Sequence, residues 1–186
     1  MRAEMNTNLP GKVFFLFFVA GFVFFADQLC KWTIMELVYK RLQDVPPAGF
    51  FVWFTNEGFR LAPVKIEILP FFNLVMVWNE GISFGLFSGS SENGLYIITG
   101  VSVFISFCLF IWALKTDDKH MTVALAVIIG GALGNICDRL RFGAVADFFD
   151  FHLAGWHYPA FNIADSCIVL GALYIVYRGF RLEKKS

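Results

Sequence analysis

The chain has 186 residues, of which 58% are hydrophobic and 24 are phenylalanine, and its mean hydropathy is +0.64. This composition is far more apolar than a soluble domain needs, so we predict a membrane protein. The formal net charge is zero and no basic stretch with interleaved aromatic residues occurs, which argues against a nucleic-acid-binding protein.

Four stretches approach the roughly 20 residues that a helix needs to cross the hydrocarbon core of a bilayer. They are Lys12 to Met35, Leu95 to Leu114, Met121 to Cys137 and Ile163 to Phe180. The predicted fold is therefore an integral membrane, mainly α protein with four transmembrane helices. We expect residues 1–186 to form a single membrane domain.

The first predicted span shares features with a secretory signal peptide, because Arg2 and Lys12 precede the apolar run from Val13 to Ala26. No small-x-small cleavage site follows this run. The stretch Asp27-Gln28-Leu29-Cys30 also has an acid where a lipoprotein cleavage box needs an aliphatic residue. We expect the run to stay attached as the first membrane helix.

Basic residues fall on one side of the membrane when the chain is laid across it four times. They are Arg2 and Lys12 before the first span, Lys115 and Lys119 between the second and third, and Arg178, Arg181, Lys184 and Lys185 after the fourth. By the positive-inside rule, both chain termini are predicted to be cytoplasmic.

The segment from Tyr39 to Gly94 is too polar and too rich in Pro and Gly to span, so we expect it to fold on the extracytoplasmic surface. Alternation of apolar and polar residues from Lys65 to Trp78 predicts one or two short β-strands. The aromatic cluster Phe50 to Phe54 suits the membrane interface. An ordinary packed loop and a surface that contacts lipid or substrate both remain open for this segment.

Four cysteines, Cys30, Cys108, Cys137 and Cys167, lie singly in the apolar stretches, without zinc or disulfide spacing. We interpret them as buried, small apolar residues. A cysteine nucleophile would need a base, and the three histidines of the chain are predicted to lie outside these spans.

Costly polar groups converge on one leaflet in this topology. Asp27, Asn135, Arg139, Asp147 and Asp165 are all predicted near the outer ends of spans or in the outer loop. A carboxylate at membrane depth is expensive unless it is protonated, paired or wetted, so an intramembrane acid indicates a functional site. Asp147 and Asp165 flank one loop and are predicted to form a pair.

Gly130 and Gly134 form a small-xxx-small pair that favours close helix packing. Asn135 and Arg139 follow at i and i+4 and face the same way. Arg139 then supplies a positive charge beside the acids; alternatively, it is an anchor at the helix end with Asp138 as its ion partner.

A close carboxylate pair supports several functions. One member can activate water while the protonated member polarises a peptide carbonyl, as in aspartic proteases. The same pair can bind a cation or relay protons in a small transporter, although no internal repeat is evident. A non-catalytic scaffold is a third class. A metal site built from Asp147, Asp150, His152 and His157 fits no standard zinc motif.

Four motifs in the chain resemble those of the bacterial signal peptidase II (lipoprotein signal peptidase) family. They are Asp27-Gln28-Leu29-Cys30-Lys31, Trp78-Asn79-Glu80-Gly81-Ile82-Ser83-Phe84-Gly85, the long block from Gly130 to Phe148, and Phe161-Asn162-Ile163-Ala164-Asp165. They follow the order of the family and extend from the first predicted helix to the fourth. The long third block is the most specific of them.

The resemblance implies an aspartic endopeptidase of the bacterial inner membrane that cuts diacylglyceryl prolipoproteins just before the lipidated Cys. It implies Asp147 and Asp165 as the catalytic pair, near the outer leaflet. It also implies a set of substrate-binding or supporting residues: Asp27, Lys31, Asn79, Gly81, Asn135, Arg139 and Asn162. No metal or organic cofactor is implied, and the expected partners are the prolipoprotein substrate and membrane lipids, with a monomeric enzyme.

Two positions depart from the family pattern. Cys30 stands where the family commonly has Thr or Ser before the Lys, and the stretch from Val38 to Lys65 is longer than in many members. Within the predicted pair, Asp165 opens the fourth helix, where unpaired N–H groups and the helix dipole favour a carboxylate. We therefore predict that Asp165 is ionised and that Asp147 carries the proton.

Overall fold

The computed structural model describes residues 9–56, 60–81 and 92–183, and four helices in these ranges are long and apolar enough to cross a membrane. The helices are α1 (Leu9–Trp32), α4 (Glu92–Lys115), α5 (Lys119–Phe142) and α6 (Ile163–Glu183). The four predicted spans are thus confirmed, with longer limits. Arg2, Lys184, Lys185 and the motif residues Ile82 to Gly85 lie outside the described residues.

The first helix does not end near Met35, as the sequence suggested. It continues as a π-helical segment, Thr33–Tyr39, and a short helix α2, Lys40–Leu42. The Tyr39 hydroxyl donates a hydrogen bond to the Val75 carbonyl, at 2.7 Å. The π-helical segment therefore connects α1 to the sheet that follows.

A four-stranded antiparallel sheet lies at one end of the helix bundle, in the strand order β1-β2-β3-β4. The strands are β1 (Lys65–Leu69), β2 (Phe72–Asn79), β3 (Val145–Leu153) and β4 (Trp156–His157). The prediction of one or two strands between Lys65 and Trp78 is confirmed, and the structure has two there. Strand β3 is a correction, because the sequence placed Asp147 in a loop; instead this residue pairs with Val77 of β2.

Helix α5 lies at the centre of the bundle, and its glycines allow close contact with two neighbours. A Cβ atom added at Gly130 would stand 2.5 Å from the carbonyl oxygen of Ala20 in α1. One added at Gly131 would stand 2.6 Å from the carbonyl oxygen of Ala164 in α6. The packing role predicted for this glycine motif therefore has a direct structural basis, and it extends to Gly131.

Helix α5 also runs five residues past Cys137, the predicted end of the third span. The prediction stopped there because Asp138, Arg139 and Arg141 are charged. Asp138 is fully buried in an ion pair and the two arginines are partly buried, so the helix continues. It ends at Gly143, whose φ of +70° is a left-handed conformation that favours glycine.

The aromatic cluster after α2 forms a short helix, α3 (Phe50–Thr55), packed beside α1. Trp53 is buried in a core that includes Tyr39 and Phe148, whereas Phe51 is mostly exposed. The packed-loop interpretation therefore holds for Trp53. The expectation of buried cysteines was wrong for Cys108, which is exposed, while the other three are half-buried.

We expect Gly130→Ala to destabilise the protein by roughly 1–3 kcal/mol, because the new methyl group overlaps the α1 backbone. The measurement is the free energy of unfolding in detergent micelles. Gly100→Ala is the matched control, since no heavy atom lies within 4 Å of its added Cβ, and helix propensity should stabilise it by up to about 1 kcal/mol. Equal stability of the two variants would refute the close-packing account.

Candidate active site

Asp147 and Asp165 are joined by one residue, Asn162. The Asn162 amide nitrogen Nδ2 donates to Oδ1 of Asp147 at 2.8 Å. The Asn162 backbone N–H donates to Oδ2 of Asp165 at 3.2 Å, and the Asp165 backbone N–H donates back to Oδ1 of Asn162 at 2.9 Å. This reciprocal cap starts α6 and fixes Asp165 in the first helical turn. The structure thus brings together the two acids that the sequence paired.

Asp147 is 1% exposed, and two amides hold its carboxyl group. Asn79 Nδ2 donates to Oδ2 at 3.0 Å, opposite the bond from Asn162. The Gly81 N–H donates to Oδ1 of Asn79 at 2.8 Å and so orients that amide. Burial, together with the negative charge of Asp165, raises the pKa of Asp147 from 3.8 to about 7.

Asn135 holds the second acid from the side of α5. Its Nδ2 donates to Oδ1 of Asp165 at 2.8 Å, while its own oxygen accepts from Nδ2 of Asn162 at 3.1 Å. The Asn79, Asn135 and Asn162 side chains therefore form a chain of amides around the acid pair. All three were predicted to support the site, and the structure places all three there.

Arg139 lies at the same site with few partners of its own. Its hydrogen bond to the Asn135 carbonyl is long, at 3.5 Å, and its Nε is buried without an acceptor among the described residues. A Cβ added at Gly81 would stand 3.8 Å from its NH2 group. Within the described ranges, Arg139 therefore has an unpaired donor, and its positive charge interacts with both acids.

Beneath the acids lies a buried ion cluster. The ammonium nitrogen Nζ of Lys31 is 2.7 Å from Oδ2 of Asp27 and 2.7 Å from Oδ2 of Asp138, and all three side chains have no solvent exposure. The other oxygen of Asp27 accepts from the Ala164 N–H at 3.1 Å, and Oδ2 of Asp138 accepts from the Ala146 N–H at 3.2 Å. Asp27 thus binds the backbone next to the candidate catalytic residue Asp165, and Lys31 holds the Asp27 side chain in place.

Sequence reasoning missed two members of this cluster, Asp138 and Gln28. Asp138 had been considered as an ion partner of Arg139, but it pairs with Lys31 instead. Gln28 Nε2 donates to Asp138 at 3.0 Å and to Asp27 at 3.1 Å. Gln28 lies within the first motif, Asp27 to Lys31, and this position is the sequence feature that could have identified it as part of the cluster.

His157 binds Asp150, which lies on the same strand as Asp147. Nδ1 of His157 is 2.8 Å from Oδ1 of Asp150, and its ring stacks on that of His152. Burial alone would raise the pKa of Asp150, but hydrogen bonds from Asn73 and His157 lower it overall. Within the described ranges, no group of three or more His, Cys, Asp or Glu side chains could hold a metal ion.

Comparison with known proteins adds independent evidence. The family model described as "Signal peptidase (SPase) II" matches residues 19–181. The chain belongs to the signal peptidase II family. The match covers all of the site residues named above, including Asp147 and Asp165.

Named relatives agree with this family, and a solved bacterial membrane enzyme has a similar fold. The lipoprotein signal peptidase of Vibrio cholerae serotype O1 is 42% identical over 170 residues, which cover 90% of this chain and 88% of that protein. The lipoprotein signal peptidase of Anaplasma phagocytophilum is 47% identical over 121 residues, 65% of this chain and 76% of that protein. A bacterial membrane enzyme solved by the in meso method at 2.3 Å superposes with a TM-score of 0.66 at 26% identity, covering 90% of this chain and 88% of that one. The chain is therefore an aspartic protease of the signal peptidase II type, and the transporter alternative is not supported.

We expect Asp147→Asn to change the pH dependence of stability. Because folding raises the pKa of Asp147 from 3.8 to about 7, the folded state holds this proton more tightly. The free energy of unfolding of the wild type should therefore fall as pH rises through that window. Asn cannot ionise, so the variant should gain up to roughly 4 kcal/mol relative to the wild type between about pH 4 and pH 8.

The control is Asp150→Asn, measured by the same unfolding experiments across the pH range. The pKa of Asp150 is lowered below its ordinary value of 3.8, so this variant should lose stability relative to the wild type only as pH rises to about 4. Between about pH 4 and pH 8 the difference between Asp150→Asn and the wild type should stay constant. Parallel pH profiles for Asp147→Asn and the wild type would show that Asp147 titrates normally.

Proposed function

We propose that the protein removes the signal peptide from diacylglyceryl-modified prolipoproteins, cutting just before the lipidated Cys, with Asp147 and Asp165 as the catalytic pair. The observation that carries this proposal is the bridge through Asn162, whose amide binds Asp147 while its backbone caps Asp165. Two acids held by one residue, of which Asp147 is buried and Asp165 is partly exposed, can share a proton and work as a unit. The relatives carry the name lipoprotein signal peptidase, in line with this substrate class.

In the proposed mechanism, Asp147 is protonated and Asp165 is ionised at the start. The raised pKa of Asp147 supports the first assignment, and the position of Asp165 at the N-terminus of α6 supports the second. Asp165 takes a proton from a water molecule, whose oxygen attacks the scissile carbonyl, while Asp147 donates its proton to the carbonyl oxygen. When the C–N bond of the resulting tetrahedral species breaks, the proton on Asp165 goes to the leaving amine, and the hydroxyl proton returns to Asp147.

The surroundings of Asp165 suit an apolar substrate. A groove of about 350 Å³ runs from this carboxyl group along the outer face of α6, where Val169 and Leu170 are exposed. The apolar helix of a signal peptide can lie there within the bilayer, which places its end at the acids. The Arg139 donor that is unpaired within the described ranges can then bind a carbonyl of the substrate backbone.

The proposed location is the bacterial inner membrane, with both termini cytoplasmic and the site near the outer leaflet. Lys12 donates to the carbonyls of Leu114 and Thr116, and Arg178 pairs with Asp118 at 2.9 Å. These cations lie at the end of the bundle opposite the acids, which agrees with the positive-inside rule. We propose that the enzyme works as a monomer among membrane lipids, without a metal or organic cofactor.

The direct test is a gel-shift assay on a diacylglyceryl prolipoprotein. Asp147→Asn and Asp165→Asn should each fold and each lower the cleavage rate by about 10²- to 10⁴-fold, because either change removes a proton acceptor or donor from the reaction.

Asp150→Asn is the matched control, because Asp150 is a carboxylate on the same strand that binds Asn73 and His157. It should cleave at near the wild-type rate. Near-normal cleavage by either dyad variant would remove that residue from the catalytic pair, and full activity of both would favour a non-catalytic role for the acids.

A further inference from the structure

A second groove, of about 580 Å³, lies between α1 and α5 and away from the candidate active site. Its lining includes Gly21 of α1, Leu133 and Leu140 of α5, and Phe54 of α3. Leu140 is about 140° around α5 from Asn135, so the groove and the acids occupy different faces of this helix. We call this feature the α1/α5 groove.

One charged side chain, Arg141, lines the otherwise largely apolar α1/α5 groove. Its guanidinium group lies 4.2 Å from the centre of the Trp53 ring and 5.1 Å from that of Phe54. It donates to the Trp53 carbonyl and, at 3.4 Å, to Oε1 of Gln28. These cation–π and neutral contacts position the guanidinium group without neutralising it.

Arg141 has no anionic partner within ion-pairing distance among the described residues. Asp138, three positions earlier, is bound by Lys31. The Nε of Arg141 is also buried without an acceptor there. A partly buried cation is costly unless an anion compensates it, and no side chain in the described ranges forms an ion pair with this one, which favours an added anionic group.

The position of Arg141 matches the headgroup level of a lipid. It is the penultimate residue of α5, at the end of the bundle that carries the sheet. Leu133 lies eight residues earlier, about 12 Å deeper along the helix. The groove therefore presents a cation at its shallow end and an apolar wall below, and its volume is in the range of small-molecule sites, about 300–1,000 Å³.

We propose that the α1/α5 groove binds one anionic phospholipid, with the phosphate on Arg141 and an acyl chain beside Gly21 and Leu133. Phe54 lines the groove and contacts Phe24 of α1 edge to face, with ring centres 6.3 Å apart. The bound lipid would thus fill the space where α3 meets the bundle. This groove shares no lining residue with the groove beside Asp165.

The test is native mass spectrometry of the delipidated protein titrated with phosphatidylglycerol or with phosphatidylcholine of the same acyl chains. The wild type should bind one phosphatidylglycerol per chain about tenfold more tightly than phosphatidylcholine, the effect of one charge-assisted contact. Arg141→Gln should remove this preference.

Gly21→Leu should abolish the site for both lipids, because no heavy atom lies within 4 Å of a Cβ added at Gly21 and the new side chain can fill the groove. Gly100→Leu is the matched control: its added Cβ also meets open space, but on α4, so binding should persist. Equal binding of the two lipids by the wild type, retention of the preference in Arg141→Gln, or retention of the bound lipid in Gly21→Leu would each overturn the proposal. The Gly21 variant leaves the arginine in place, so it decides the matter even if Arg141→Gln does not fold.

Discussion

The site depends on a lysine buried between two carboxylates. Lys31 lies 2.7 Å from Asp27 and 2.7 Å from Asp138, and none of the three side chains is exposed. Removing charges from water costs several kcal/mol per ion, and the cost is offset only when geometry and further hydrogen bonds are good. Here Gln28 donates to both carboxylates, which satisfies part of their remaining hydrogen-bonding capacity. A cluster of this kind fixes the relative positions of α1 and α5, because its members lie on both helices.

The cluster also reaches the two acids through the backbone. Asp27 accepts from the N–H of Ala164, the neighbour of Asp165, and Asp138 accepts from the N–H of Ala146, the neighbour of Asp147. One buried charge network therefore positions both the first turn of α6 and the start of β3. Asn162 then joins the acids directly. The glycines of α5 make this possible, because they let α1 and α6 approach closely enough for the hydrogen bonds to form.

Much of this arrangement could be predicted from the sequence. Span length gave the four helices, and the cost of a carboxylate at membrane depth singled out the two acids. Strand β3 could not be predicted, because Val145 to Phe148 are all buried and lack the alternation of a half-exposed strand, and its partner β2 is distant in sequence. The Lys31–Asp138 pair was missed for a similar reason. Asp138 and Arg139 are adjacent in sequence, but successive residues point about 100° apart on a helix, so only the packing of α1 on α5 decides which of them meets Lys31.

The most direct measurement is the free energy of unfolding of Lys31→Met in detergent micelles, compared with Lys65→Met. Lys65 pairs with Glu67 on the surface at 3.1 Å, and both side chains are more than half exposed. If the buried cluster organises the site, Lys31→Met leaves two buried carboxylates uncompensated and should cost about 3–5 kcal/mol, whereas Lys65→Met should cost about 0–1 kcal/mol. A Lys31→Met variant as stable as Lys65→Met would contradict the account.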